Sequence, residues 1–440
     1  MDANKNFVDA VTEVDFDFTP FLKRYKDGRI ERLLRSPLVA ASEDPTANRR
    51  VATRDVVIDH GTGVSARLFL PSRAAMAAGS RRLPLVMYIH GGSFCTESAF
   101  CQTYHRYATS LATSAGALVV SVEYRLAPEH PIPAAYDDAW SALKWVATLA
   151  DPWLADYADP ARMFIAGDSA GGNIAYHTAV QASRDGGLGV DIEGMVIVQP
   201  FFWGAERLPS EEVWDGAAVF PAYGVDWLWP FVTAGQASND DPRLNPPDED
   251  IASLTCRHVL LAVAEKDTLR ERGCRLLKRF HDYYTRTGSG EATLVESEGE
   301  DHGFHLYSPL RTTSRRLMAS IVHFINQPPA PKLDDGLHCE GKNIDRTSAT
   351  TKAPKPMILG VPRRPFMDVF GYGMEMKHHC SGSSSTTCMA HAMSKIGGCG
   401  KAASPKKNYG LFSGALWPNK AYKGPAAALP GTHHVIKNMW

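Results

Sequence analysis

Gly167-Asp168-Ser169-Ala170-Gly171 sets a serine between two glycines, with the apolar run Met163-Phe164-Ile165-Ala166 before it and the helix-like Asn173-Ile174-Ala175-Tyr176-His177 behind it. A serine forced onto a sharp strand-to-helix turn takes a strained backbone conformation. A Cβ two residues to either side would collide with the neighbouring strand or helix, which is why glycine stands at both positions. The hydroxyl is then exposed beside a helix N-terminus. Serine is a weak nucleophile at neutral pH unless a base takes its proton, so the turn predicts an acid and a histidine later in the chain, in the order Ser, acid, His.

Asp267, in Val263-Ala264-Glu265-Lys266-Asp267, falls just beyond the C-terminal end of an apolar strand, where such an acid belongs. The same residue would also serve as the N-cap of a helix beginning at Thr268, and Glu265 is its nearby rival. His302 lies in Gly299-Glu300-Asp301-His302-Gly303-Phe304-His305, ahead of the last helix, where the base must be delivered. His305 is a second histidine in the same loop. Asp301 is adjacent to His302 in sequence, so its side chain is expected to point away from the ring and is left out of the triad. Attack on a carbonyl makes an oxyanion, which needs preorganised N–H donors. His90-Gly91-Gly92-Ser93-Phe94 follows a strand and lets backbone approach a substrate closely, and the N–H of Ala170 completes such a hole. Alone, His-Gly-Gly would be an ordinary tight turn.

The elements that must position these groups are legible as an alternation. From about residue 53, short β-rich runs alternate with helix-period stretches, which predicts a mostly parallel sheet covered by helices on both faces. Eight strands are expected near Arg54 to Ile58, Ser65 to Leu70, Pro84 to Ile89, Ala117 to Val122, Met163 to Ala166, Met195 to Gln199, His258 to Val263 and Ala292 to Glu296. The first two have no helix between them and should pair antiparallel. The later ones are separated by Tyr104 to Ser114, Ala134 to Leu149, Arg270 to Tyr284 and similar helical segments, which calls for right-handed crossovers. Between the sixth and seventh strands a stretch rich in Trp and Pro, with Trp203, Trp214, Trp227, Trp229 and Phe231, is too long for a plain connection. It reads as a cap over a cleft at the strand C-terminal ends, joined by the first 40 or so residues, or else as a packed helical excursion without substrate contact.

The chain of 440 residues, 44% hydrophobic and 22% charged, is long enough for one large α/β domain or for two or three smaller ones. Its longest apolar runs are strand-length, short of the about 18 residues a membrane span needs. The acidic Glu13-Val14-Asp15-Phe16-Asp17 does not resemble a secretory signal, and eight irregularly spaced cysteines suit a reducing compartment, so a cytoplasmic location is expected, with Cys95 and Cys101 as free thiols. The net charge of -1 conceals an asymmetry: residues 331–440 hold 15 Lys/Arg against 6 Asp/Glu, and residues 1–330 hold 32 against 42. After Pro328-Pro329-Ala330-Pro331 the helix-period pattern stops, so residues 1–327 form the folded domain, with cap pieces at about 1–45 and 201–255. Residues 328–440 form a low-complexity extension expected to be disordered. Within it Cys380, Cys388, Cys399, His378, His379 and His391 invite a zinc reading, but their spacing fits no standard site, and no metal or cofactor is expected. Lys401, Lys406 and Lys407 are too dilute to predict a nucleic-acid partner.

Taken together, Tyr88-Ile89-His90-Gly91-Gly92-Ser93-Phe94, Tyr124-Arg125-Leu126-Ala127-Pro128-Glu129-His130-Pro131 with Asp138 beyond, and Gly167 to Asn173 resemble the plant-type carboxylesterases of the hormone-sensitive-lipase-like branch of the α/β-hydrolase family, over about Asp17 to Asn326. The resemblance implies an α/β-hydrolase fold, Ser169 as nucleophile, Asp267 as orienting acid, His302 as general base, Gly91, Gly92 and Ala170 as the oxyanion hole, and a small or medium ester as substrate. A pocket drawing on Ser93, Phe94, Trp203 and Trp214 is expected, and the stretch from Tyr124 to Asp138 should brace the loops behind the site. Ser93 replaces the third glycine usual in the family. Related plant proteins vary there: some resemble 2-hydroxyisoflavanone dehydratase and eliminate water, tuliposide-converting relatives form a lactone by transesterification, and gibberellin receptors have lost the histidine.

Overall fold

The protein is described by a computed structural model that covers residues 13–72, 82–189, 191–212 and 220–328. Expectations for residues 329–440, including the cysteines and histidines there, and for Trp214 lie outside the described residues.

A large sheet carries the site. Its strands are β4 (Val51–Val57), β5 (Ser65–Pro71), β6 (Leu83–Ile89), β7 (Leu118–Glu123), β8 (Ala158–Asp168), β9 (Ile192–Val198), β10 (His258–Ala264) and β11 (Glu291–Ser297), in the spatial order β11-β10-β9-β8-β6-β7-β5-β4. β5 runs antiparallel to both β4 and β7, and every other pairing is parallel. The eight strands fall where the alternation puts them. The largest difference is β8, expected near Met163 to Ala166, which starts at Ala158, where Leu83 pairs with it ahead of a register irregularity.

Because a strand shows its two faces to alternate residues, β6 divides cleanly. Leu83, Leu85, Met87 and Ile89 enter the core on one face, and Val86 and Tyr88 enter a second core on the other. The first core packs beneath the helices Ala134–Thr148, Ala170–Asp185 and Arg270–Thr287, the second beneath Gln102–Ala115 and Thr312–Asn326. With both faces covered, the strands read as near-continuous apolar runs, as buried parallel sheets do.

A second, smaller sheet of β1 (Val14–Phe18), β2 (Leu22–Tyr25) and β3 (Ile30–Arg32) precedes the large one. The composition of this segment hides it, but Val14-Asp15-Phe16-Asp17-Phe18 does alternate, and the cross-strand pairs Lys26 to Glu13 and Arg24 to Asp15 hold its polar side. Its aromatic side meets the insertion between β9 and β10: Phe16 stacks on Phe231 at 4.5 Å and Phe21 meets Phe220 edge-on at 5.3 Å. The two predicted cap pieces therefore pack on each other.

The stretch from Tyr124 to Asp138 braces the loops beyond β6 and β7. The Asp138 carboxylate, nearly fully buried, accepts from the Arg125 backbone N–H at 2.8 Å and from its guanidinium at 2.6 Å, while the Glu129 carboxylate accepts two bonds from Arg32 of β3. The Tyr124 hydroxyl donates to the His90 carbonyl at 3.0 Å. Asp138→Ala leaves the guanidinium half-buried and unpaired, so a loss of roughly 3 kcal/mol is expected. Urea unfolding of the variant beside wild type measures it; a change below about 1 kcal/mol would reduce the pair to the value of a surface ion pair.

Candidate active site

The strand β8 ends at Asp168, the helix Ala170–Asp185 starts at Ala170, and Ser169 alone makes the turn, with φ +50° and ψ −120°. That conformation is strained for any residue with a Cβ, and such strain persists only where the surroundings impose it. They do so through close backbone contacts. A Cβ on Gly167 would stand 2.3 Å from the Gly171 carbonyl oxygen, and one on Gly171 would stand 2.1 Å from the carbonyl oxygen of Ile89 at the end of β6. The Ser169 N–H donates to Val198 and its carbonyl accepts from the Phe201 N–H, each at 2.9 Å, so both of its peptide groups are tied to the end of β9.

Asp267 and His302 are brought to this serine from the loops after β10 and β11. His302 Nε2 lies 2.9 Å from Ser169 Oγ, and Nδ1 lies 2.8 Å from Asp267 Oδ2. A carboxylate only accepts, so the ring proton is on Nδ1, the Nε2 lone pair faces the serine, and the hydroxyl donates to it. The other Asp267 oxygen accepts from the Leu269 N–H at 2.9 Å, so this side chain caps a helical turn and orients the ring at once. Glu265 is turned elsewhere and accepts from the Gly299 N–H at 2.6 Å. His305 is buried against Tyr107, away from any hydrogen-bond partner among the described residues. Asp301 Oδ1 accepts from the His302 backbone N–H at 2.6 Å rather than from the ring.

The loop after β6 lies against the turn, with one correction to the expected donors. The Gly91 N–H is already committed, 2.9 Å from the Tyr104 hydroxyl and 3.1 Å from Asp168 Oδ1, and a donor consumed inside the fold has nothing left for an oxyanion. The N–H groups of Gly92 and Ser93 have no acceptor among the described residues, and Ala170, as the first residue of its helix, has no intrahelical one. Gly92 (φ +106°) and Ser93 (φ +55°) both hold left-handed backbone. Serine in place of glycine therefore carries the strain of that conformation at Ser93.

Comparison with known proteins fits this geometry. A profile of the α/β-hydrolase fold matches residues 86–306. Probable carboxylesterase 5 of Arabidopsis thaliana is 37% identical over 71% of this chain and 99% of its own length. The 2-hydroxyisoflavanone dehydratase of Glycyrrhiza echinata is 39% identical over 71% of this chain and 96% of its own length. Among solved structures, an esterase of Pyrobaculum calidifontis is 29% identical and superposes with a TM-score of 0.52 over 62% of this chain and 84% of that one. The chain belongs to the α/β-hydrolase family. Within it, the relatives place the chain in the plant-type, hormone-sensitive-lipase-like branch, and its enzyme class is that of a carboxylic ester hydrolase.

Three buried groups of this hydrolase escaped the sequence reading: Asp168, Tyr88 and Tyr104. The Asp168 carboxyl accepts from the Tyr88 hydroxyl at 2.6 Å, from the Tyr104 hydroxyl at 2.9 Å and from the Gly91 N–H, and thereby ties the residue before Ser169 to the loop after β6. Burial pushes its pKa up to about 6, against the pull of those hydrogen bonds and of His302. At His302, burial disfavours the charged ring, but the Asp267 carboxylate, with Asp301 and Asp168 beyond, outweighs it and raises the pKa above the ordinary histidine value. His90 is neutral, its pKa pushed down to about 4 by burial, with Nδ1 donating to the Gly91 carbonyl at 2.7 Å.

The expected pocket residues divide. Ser93 is in the loop facing the turn, and Phe94 is buried edge-on to Phe201 and Trp229 beneath it. Trp203 is a correction: it is fully buried, its indole N–H donates to Asp226 Oδ1 at 2.8 Å, and the guanidinium groups of Arg207 and Arg272 lie over its ring, so it packs the insertion. Phe220, not foreseen, has its ring centroid 6.5 Å from that of His302. A cavity of about 470 Å³ lined by Arg32, Glu97, Glu123 and Arg125 touches none of the triad, and its position gives no reason to move the chemistry there. Among the described residues no cluster suited to a metal ion is present, and Cys95 and Cys101 are free.

Gly171→Ala places a methyl against two backbone oxygens that cannot swing aside, so a loss of roughly 3 kcal/mol or more is expected. Gly186→Ala, at a left-handed helix end with open space around it, should cost only about 1 kcal/mol. Denaturant titration of both measures the contrast; equal losses would mean that the close approach at Gly171 is not what requires glycine.

Proposed function

We propose that the protein is a serine carboxylesterase that cleaves small to medium carboxylic esters through an acyl-enzyme. The observation that carries this is the unbroken hydrogen-bond chain from Asp267 through His302 to Ser169. The Ser169 oxygen attacks the acyl carbon while His302 Nε2 takes its proton, and Asp267 holds the Nδ1–H and stabilises the imidazolium that forms. The carbonyl electrons move onto oxygen, which the free N–H groups of Gly92, Ser93 and Ala170 receive. Each such donor is worth about 3 kcal/mol in a transition state of this kind. His302 then gives the proton to the leaving alcohol, the carbonyl reforms, and water repeats the sequence to release the acid and free the serine.

The two packed cap pieces, with Phe220 beside His302, supply an apolar wall for the acyl or alcohol group. The free cysteines are compatible with a cytoplasmic setting, and no described helix is long and apolar enough to cross a membrane. A second reading, elimination of water or transesterification at the same site, is favoured by the dehydratase relative and by the hydroxyl that Ser93 adds near the hole.

Purified protein should hydrolyse p-nitrophenyl acetate or butyrate, and Ser169→Ala should fall by at least about 10³-fold. If both are folded and equally inactive, ester cleavage is excluded, and product analysis with 2-hydroxyisoflavanone tests elimination. The base works only when neutral, and its pKa is raised, so kcat/KM should fall as pH drops through that raised value and stay high on the alkaline side. Asp267→Asn removes the charge responsible. The acid limb should then move to lower pH while kcat falls about 10⁴-fold, and an unmoved limb would assign that limb to another group.

A further inference from the structure

Gln199 follows the buried apolar run Val196-Ile197-Val198 at the end of β9, precedes Pro200, and is itself almost fully buried with φ +47°. A carboxamide in that place must find partners, and it finds them on the two peptide groups that flank His302. Its Nε2 donates to the Asp301 carbonyl at 3.2 Å, and its Oε1 accepts from the Gly303 N–H at 2.9 Å. Its own N–H donates to the Ala262 carbonyl of β10, the strand that delivers Asp267, at 2.7 Å. The residues either side of Gln199 in turn hold the nucleophile, since Val198 accepts from the Ser169 N–H and Phe201 donates to the Ser169 carbonyl. The short segment 198–201 thus bonds the serine through its backbone and the histidine loop through one side chain.

We propose that Gln199 is a positioning residue that sets the distance and angle between Ser169 Oγ and His302 Nε2. The need for it follows from the strand order. Ser169 follows β8 and His302 follows β11, with β9 and β10 between, so the loop after β11 must reach back across two strands, and no direct strand pairing fixes the pair. The far side of the loop is anchored separately: the Glu300 carbonyl accepts from the Lys266 N–H, and its carboxylate accepts from Arg311 and Thr313. Those contacts hold the loop to β10 and the last helix but not to the serine. A misplacement of about 1 Å at a proton-transfer pair costs up to about 10²-fold in rate, so a clamp on both sides of the base has a measurable effect on turnover without touching substrate.

This inference rests on the proposed serine mechanism and is tested on the full chain. Gln199→Ala should lower kcat for a p-nitrophenyl ester by about 10- to 100-fold with KM within about two-fold of wild type, and should slow inactivation by an organophosphonate in the same proportion. Gln199→Glu separates positioning from simple packing. Protonated, the carboxyl can donate to Asp301 and accept from Gly303 as the amide does; ionised, it loses the donor and sets a charge against a carbonyl oxygen. The Glu variant should therefore stay close to wild type at pH 6 and lose activity as pH rises, along a descending limb that wild type lacks, at temperatures where its circular dichroism shows it folded. A folded Gln199→Ala with wild-type kcat overturns the proposal. Should that variant not fold, a Glu variant with the wild-type pH profile overturns it instead. Wild-type protein that neither hydrolyses the ester nor reacts with the phosphonate sinks the serine mechanism itself, whereas a reactive wild type with equally reactive variants sinks only the role of Gln199.

Discussion

One backbone contact governs the rest: the carbonyl oxygens of Ile89 and His90 lie where a side chain on Gly171 would have to be. The first turn of the helix after Ser169 is pressed against the end of β6 with only peptide between them. That closeness goes with the strained serine conformation and brings the loop after β6, with the left-handed Gly92 and Ser93, beside Ser169. A larger separation would admit ordinary residues at 167 and 171, but it would also draw the loop after β6 away from Ser169. The strain is offset by the two hydrogen bonds that hold Ser169 to β9 and by the cores on either side of the sheet.

Electrostatics at the site follow from burial as much as from pairing. Asp168 and Asp267 are both buried carboxyls, yet their surroundings separate their roles. Asp168 is ringed by two phenol hydroxyls and a backbone N–H and fastens the loop, whereas Asp267 offers one oxygen to a helical turn and the other to a histidine. Nearby histidines are kept neutral by desolvation, with His90 and His305 both pushed down, to about 4 and about 3. Glu123 stands 3.9 Å from His90 Nε2 without reversing that tendency, whereas Asp267 is hydrogen-bonded to the His302 ring at 2.8 Å and, with Asp301 and Asp168 beyond, does reverse it.

Much of this was legible in the sequence because it is dictated by local rules. The glycines at 167 and 171 announce the turn, the order of Ser169, Asp267 and His302 follows from which strand ends deliver them, and the alternation of short β-rich runs with helix-period stretches marks every strand of the large sheet. What was not legible depends on contacts made far apart in the chain. Which of three consecutive N–H groups after His90 is free depends on Asp168 and Tyr104, so Gly91 was assigned a role that the fold has already filled. Trp203 reads as a pocket residue by composition and is instead packed by Asp226, Arg207 and Arg272. A signal for Gln199 was present, since a polar side chain closing a buried strand before proline must be satisfied somewhere, but its partners lie a hundred residues away.

The central claim is that Ser169 becomes covalently acylated with His302 as its base. The most direct measurement is an acid quench of the enzyme during turnover of a slow ester, followed by intact-mass and peptide mass spectrometry. A mass increase of one acyl group on the peptide that contains Ser169, absent from Ser169→Ala and not accumulating in His302→Ala, is the expected result. An acyl group carried by another residue, or hydrolysis with a burst of alcohol and no adduct on Ser169, would contradict it.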